Sequence, residues 1–262
     1  KEEKRVAGLA APAQVLFVAD GYQYNGKYID SLARVREFLP SLASVEHVIV
    51  VEYLKHEPTL QGLTSPQYLR KIIGPEPKLE PTHEFQGSGY PPHPLGDLPE
   101  FPFNHPLYIM YSSGPTGLPK CMVHGAGGTL LQHYKELALH TDLKPGERIF
   151  YFTTCGWMMW NWLVSALASE ATLVVYDGSP FAPDANALFD FADEAGVTFF
   201  GASAKYIDAL ANQKLEPKKT HDLGTIRTIA STGSPLAPES FDYVYRSIKE
   251  DVCLSSISGG TD

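Results

Sequence analysis

Cysteine, positive charge and long apolar runs are all scarce in this chain. Its 262 residues hold 3 cysteines, Cys121, Cys155 and Cys253, far apart and without a CxxC pair, so a disulfide framework or zinc site does not fit. A reducing cytoplasm does. Lys and Arg number 21 against 30 Asp and Glu, a net charge of −9 with the acids dispersed, so no basic face exists to neutralise nucleic acid or an anionic membrane. No stretch approaches the ~20 apolar residues of a membrane span, and the opening "KEEKRVAGLAAPAQ" has no signal-peptide core. Small molecules are therefore the expected partners, and the sequence leaves the oligomeric state open.

Several chemical signatures are missing too. His133 and His140 share one expected helix two turns apart, no HExxH occurs, and a histidine-bound metal is not expected. His124 could face a site or serve as a core or capping residue. There is no GxSxG elbow, and no GxGxxG follows an early strand, which disfavours a serine hydrolase and a dinucleotide-binding oxidoreductase. The chain lacks a starting methionine and stops at "SISGGTD" straight after a strand-like run, so we read it as an interior piece of a longer protein.

What is present is alternation. With 44% hydrophobic residues the chain can build a sizeable core, and Val/Ile/Phe-rich runs alternate with helix-period segments. That pattern predicts an α/β fold of mostly parallel sheets with helical crossovers. Strands are expected at 14–19, 45–51, 107–111, 148–153, 172–176, 197–202, 225–231 and 252–257. Helices are expected at 28–42, 128–140, 158–169, 186–195, 205–213 and 238–250. Residues 57–106, dense in Pro and Gly, read as an irregular connection with one short helix at 65–73. In such sheets ligands gather at the carboxyl ends of strands, which singles out three loops: "SSGPTGLPK", "STGSP" and "SGGTD".

The first loop has what phosphate needs. Small residues free backbone N–H groups to turn inward, while Ser112, Ser113, Gly114, Thr116, Gly117 and Lys120 add hydroxyls, flexibility and a cation. The spacing is not that of GxxxxGK[ST]. "YSSGPTGLPK" instead resembles the phosphate-binding signature of the adenylate-forming enzymes (acyl-CoA synthetases, luciferases and peptide-synthetase adenylation domains), written [ST]SG[ST]TGxPK. Together with "GWMMWNW", "YDGSP", "STGSPL", "SISGGTD" and "VLFVADGYQYNGK", it is similar more narrowly to the acetoacetyl-CoA synthetases, over essentially the whole chain. The resemblance implies that residues 1–262 are part of an AMP-binding N-terminal domain whose C-terminal lid domain is absent here.

The same resemblance assigns roles. Lys120 and Thr261 would be catalytic, and Ser112, Ser113, Gly114, Thr116, Gly117, Lys120, Gly233, Ser234, Pro235, Gly260 and Thr261 would bind the nucleotide. Trp157, Met158, Met159, Thr232 and Gly259 would border the acid, and Asp262 would hold Mg²⁺. Without the resemblance, a Trp/Met cluster reads as core packing and Thr-Asp after glycines as a helix cap. Relatives that activate acetate carry a tryptophan at the position of Gly259, so an acid larger than acetate is expected here. The implied activity is ligation of acetoacetate, or a similar short keto or hydroxy acid, to coenzyme A with ATP; this piece alone is expected to be inactive.

Pro115 departs from the pattern, which has Thr or Ser there. It offers neither a hydroxyl nor an N–H, and it restricts Gly114. Three readings stay open: a tolerated variant with weaker ATP binding, an error in the sequence, or a decayed enzyme. The intact neighbours favour the first two. A non-catalytic nucleotide-binding protein derived from the family is the alternative function.

Overall fold

The computed structural model describes residues 14–55, 57–73, 100–112 and 120–259. The described residues divide into two compact units, one up to Phe101 and the other from Pro102 onward. The expected residues Ser113, Gly114, Thr116, Gly117, Gly260, Thr261 and Asp262 lie outside the described residues, as do 74–99 of the irregular connection.

In the first unit, β1 (Val15–Ala19) pairs in parallel with β4 (His47–Val51), and β4 with β5 (Pro66–Tyr68). Helix α1 (Ser31–Phe38) lies between β1 and β4 in sequence. It starts where Asp30 Oδ1 accepts from the Ala33 N–H at 2.8 Å, a side-chain N-cap. Leu32, Val35, Leu39, Val48 and Val50 form its core.

Two expectations need correction here. The helix expected from residue 28 begins at Ser31, because 28–30 belong to β3 (Lys27–Asp30), paired antiparallel with β2 (Gly21–Tyr24). Asn25 and Gly26 both have positive φ, 51° and 72°, the conformation that a tight two-residue hairpin turn requires. The helix expected at 65–73 is a strand followed by a shorter helix, α2 (Leu69–Ile73).

The second unit is built on a five-stranded parallel sheet. Its strands are β8 (Arg148–Tyr151), β9 (Thr172–Val174), β10 (Phe199–Ser203), β11 (Thr228–Thr232) and β12 (Cys253–Ser256), in the order β12-β11-β10-β8-β9. Alternate residues serve opposite faces. Phe150, Phe200 and Ile229 join one core with helices α5 (Ala187–Ala195), α6 (Ala204–Asn212) and α7 (Pro238–Tyr243). Ile149, Tyr151, Phe199 and Ala230 join another with α4 (Met158–Ser165) and Leu137. With both faces covered, β8 and β10 carry buried apolar residues on both sides. The order turns back between β8 and β10, the place where such sheets open a crevice at the strand ends.

A hairpin stands beside this sheet in sequence and belongs to the same unit. Strand β6 (Pro106–Ser112) pairs antiparallel with β7 (Lys120–Gly125), and helix α3 (Ala126–Lys135) follows directly, ending in a π-helical turn over Glu136–His140. Sequence reading had no strand at 120–125. Among the described residues, no helix is long and apolar enough to cross a membrane.

Candidate active site

The register of the hairpin sets Ser112 opposite Lys120. The glycine-rich segment therefore joins two paired strand ends, so its first hydroxyl residue and its lysine start from neighbouring backbone positions. Strand β7 carries His124 into the lining of a cavity of about 1170 Å³. Its ring lies 5.2 Å from that of Tyr108, and its Nε2 is buried without a hydrogen-bond partner among the described residues. His124 thus borders the cavity while its ring packs on Tyr108.

Loops after three strands supply the rest of the upper wall. Beyond β8, the chain turns through Thr154, whose carbonyl accepts from the Trp157 N–H at 3.0 Å, and enters α4. Trp157, Met158 and Met159 all line the cavity. Beyond β11, Thr232 Oγ1 donates to the Ile257 carbonyl at 2.8 Å, and the Ile257 N–H donates to Ser231 at 2.7 Å, tying the ends of β11 and β12 together. Gly233, at φ +91°, makes the turn that a residue with a side chain resists. Thr232, Gly233 and Gly259 line the cavity, as expected residues brought together from positions far apart in sequence. Ser234 and Pro235 are exposed and are not among its lining residues.

The cavity is longer than a four-carbon acid needs. Both Thr228 and Thr232 border it, and at a rise of about 3.3 Å per residue that stretch of β11 alone spans about 13 Å. At its far end Arg227 is fixed by Glu147, with Nη2 2.6 Å from Oε2 and Nε against Oε1, while its remaining N–H groups reach the carbonyls of Thr141 and Asp142 at 3.0 Å. Burial pushes the Glu147 carboxyl up, but hydrogen bonds from Arg227 and the Lys144 N–H outweigh it and hold the group below the usual range. This cation is committed to the fold.

Sequence reading missed the floor. Thr129, His133, Glu136 and His140 follow helical spacing along α3 and its π turn, and all four line the cavity. The two-turn interval that made His133 and His140 poor joint metal ligands is what puts both on one face. No group of three or more His, Cys, Asp or Glu suited to a metal occurs among the described residues. His133 is buried, with Nδ1 2.8 Å from Ser165 Oγ. Glu136 accepts from Gln132 Nε2 at 2.7 Å and Trp162 Nε1 at 3.0 Å. Burial lowers the His133 pKa, the nearby His124 lowers it further, and Glu136 opposes both. Burial raises the Tyr108 pKa against a hydrogen bond with Thr129, so the phenol stays protonated.

A cavity that runs along one face of the parallel sheet, from Thr228 to the carboxyl ends of β11 and β12, is a place where an α/β fold takes a ligand. Residues 9–253 match the family described as AMP-binding enzyme, and the chain belongs to that family.

Within it, the chain is 50% identical over 259 residues to acetoacetyl-coenzyme A synthetase of Rhizobium meliloti (strain 1021), covering 97% of this chain and 37% of that protein. Acetoacetyl-CoA synthetase of Danio rerio is 44% identical over 253 residues, covering 95% of this chain and 36% of the relative. The solved acetoacetyl-CoA synthetase from Streptomyces lividans matches with a TM-score of 0.80 at 37% identity, over 96% of this chain and 36% of that one. The chain thus spans little more than a third of the relatives' length.

Proposed function

We propose that the whole protein is an AMP-forming acid–CoA ligase that activates acetoacetate, or a similar short keto or hydroxy acid, in the cytoplasm. The observation that carries this reading is the convergence of Trp157, Met158, Met159, Thr232, Gly233 and Gly259 on one cavity. The likeness to acetoacetyl-CoA synthetases supports acetoacetate as the acid. A carboxylate oxygen attacks the α-phosphorus of ATP, pyrophosphate leaves, and the CoA thiolate then displaces AMP from the acyl carbon to give the thioester. Such chemistry depends on positioning and charge neutralisation more than on a protein nucleophile.

The chain's own residues take the following parts. Ser112, Ser113, Gly114, Thr116 and Gly117 hold the β- and γ-phosphates, and Lys120 offsets their charge. Gly233, Ser234 and Pro235 lie along the base, Gly260 and Thr261 contact the α-phosphate, and Asp262 would hold Mg²⁺, a hard cation suited to carboxylate and phosphate oxygens. Trp157, Met158 and Met159 exclude water from the acid, and Gly259 leaves it room. This segment by itself lacks ligase activity. Pro115 is the one observation favouring a non-catalytic nucleotide-binding role. Formation of acyl-CoA by the full-length protein, dependent on acid, ATP and CoA, tests the reading; nucleotide binding with no product from any short acid would refute it.

A further inference from the structure

His133 is the most deeply set titratable residue on the cavity face of α3, 7% exposed. Its Nδ1 lies 2.8 Å from Ser165 Oγ on α4, and that hydroxyl lies 2.9 Å from the Asn161 carbonyl one turn back. A carbonyl can only accept, so the single serine proton goes to Asn161. Ser165 Oγ then has only lone pairs to offer, and the imidazole carries its proton on Nδ1. The reverse assignment would press two acceptors together. Nε2 is therefore the bare nitrogen, without a partner among the described residues, on a ring that forms part of the cavity wall. Burial and the neighbouring His124 keep the ring neutral against the pull of Glu136, so the lone pair is retained. Each Glu136 oxygen is already engaged, by Gln132 or by Trp162.

We propose that His133 is a specificity residue of the acid site, its Nε2 lone pair accepting a hydrogen bond from an O–H or N–H on the distal carbons of the bound acid. This rests on the ligase reading above. The cavity thereby favours 3-hydroxy acids and acids ending in an amide over hydrocarbon acids of the same length. A 3-oxo group is itself an acceptor and meets the imidazole through a bridging water.

The test compares kcat/KM for 3-hydroxybutyrate and butyrate, which differ by one hydroxyl, in the full-length protein and in His133→Leu, His133→Gln and Ser165→Ala. The preference for 3-hydroxybutyrate falls about tenfold in His133→Leu, through KM, with butyrate little changed. His133→Gln recovers much of it through its side-chain carbonyl. Ser165→Ala releases the tautomer and lowers the preference part of the way. An unchanged ratio in these variants overturns the proposal; should His133→Leu not fold, an unchanged ratio in Ser165→Ala overturns it alone. A wild-type protein that forms no CoA ester of any acid overturns the ligase reading, and this proposal with it.

Discussion

Ser112 and Lys120 are partners across the antiparallel strands β6 and β7, so the glycine-rich segment leaves and re-enters one end of a hairpin. A loop held by paired strands has its two ends fixed before any ligand arrives, and its chemistry depends on the few residues at the tip. Pro115, the departure from the family pattern, falls within that segment.

Replacing Pro115 with Thr restores an N–H and a hydroxyl where phosphate oxygens are expected. One hydrogen bond to a charged group is worth about 1.5–3 kcal/mol, so the KM for ATP in the full-length protein falls by about tenfold or more. An unchanged KM for ATP would show that this position does not touch the phosphates.

Gly201 of β10 sits against Tyr151 of β8: a Cβ on Gly201 would stand 2.1 Å from the Tyr151 ring. Tyr151 in turn meets Trp162, a cavity residue, edge to face with centroids 6.2 Å apart. Gly201→Ala displaces the ring and destabilises the protein by about 1–3 kcal/mol. Gly128→Ala, where nothing lies within 4 Å of the new methyl group, leaves stability the same or raises it by about 0.5–1 kcal/mol. Denaturant midpoints check both, and equal shifts would contradict the packing described.

Buried Asp20 accepts from three backbone N–H groups, Tyr53 and Leu54 on Oδ1 at 2.8 and 2.9 Å and Lys55 on Oδ2 at 2.8 Å. Asp20→Ala strands those donors and costs about 3 kcal/mol of stability; Asp20→Asn, which keeps one acceptor oxygen, costs less. Thermal unfolding that ranks the two variants equally would show that the carboxylate does not organise this turn.

His133 makes stability depend on pH. Its pKa in the folded chain is lowered, first by burial, from an unfolded value of about 6.5. The unfolded state binds the proton more tightly, so its contribution is complete above about pH 6.5 and is lost as pH falls through the window below it. Wild type therefore loses Tm between pH 7 and pH 5 more steeply than His133→Gln. Parallel Tm profiles would show that the ring titrates as in an unfolded chain.

The parallel strands and their helices were legible because β8 and β10 hold apolar residues on both faces and are bounded by turn residues. Where local signals conflicted, reading faltered. Tyr28, Ile29 and Asp30 fit a helix by period, while the adjacent Asn25-Gly26 turn places them in a hairpin. Strand β7 was missed because "KCMVHG" mixes apolar and polar residues without strict alternation, and its partner β6 supplies what the pattern lacks. Trp157, Met158 and Met159 were legible as site residues through resemblance alone, since Trp and Met pack cores as readily as they line pockets. His133 and Glu136 were not legible because their spacing marks only a shared helix face, and it excludes an adjacent metal-ligand pair without naming another role. The face they share with Thr129 becomes a wall only when α4 lies opposite.

The central claim is adenylation of a short acid, and acid-dependent ATP–pyrophosphate exchange by the full-length protein measures that step without CoA. Exchange with acetoacetate well above that with acetate, and none without acid, is the result predicted. No exchange with acetoacetate, acetate or 3-hydroxybutyrate, in wild type or in Pro115→Thr, would contradict it and leave a nucleotide-binding protein without catalysis.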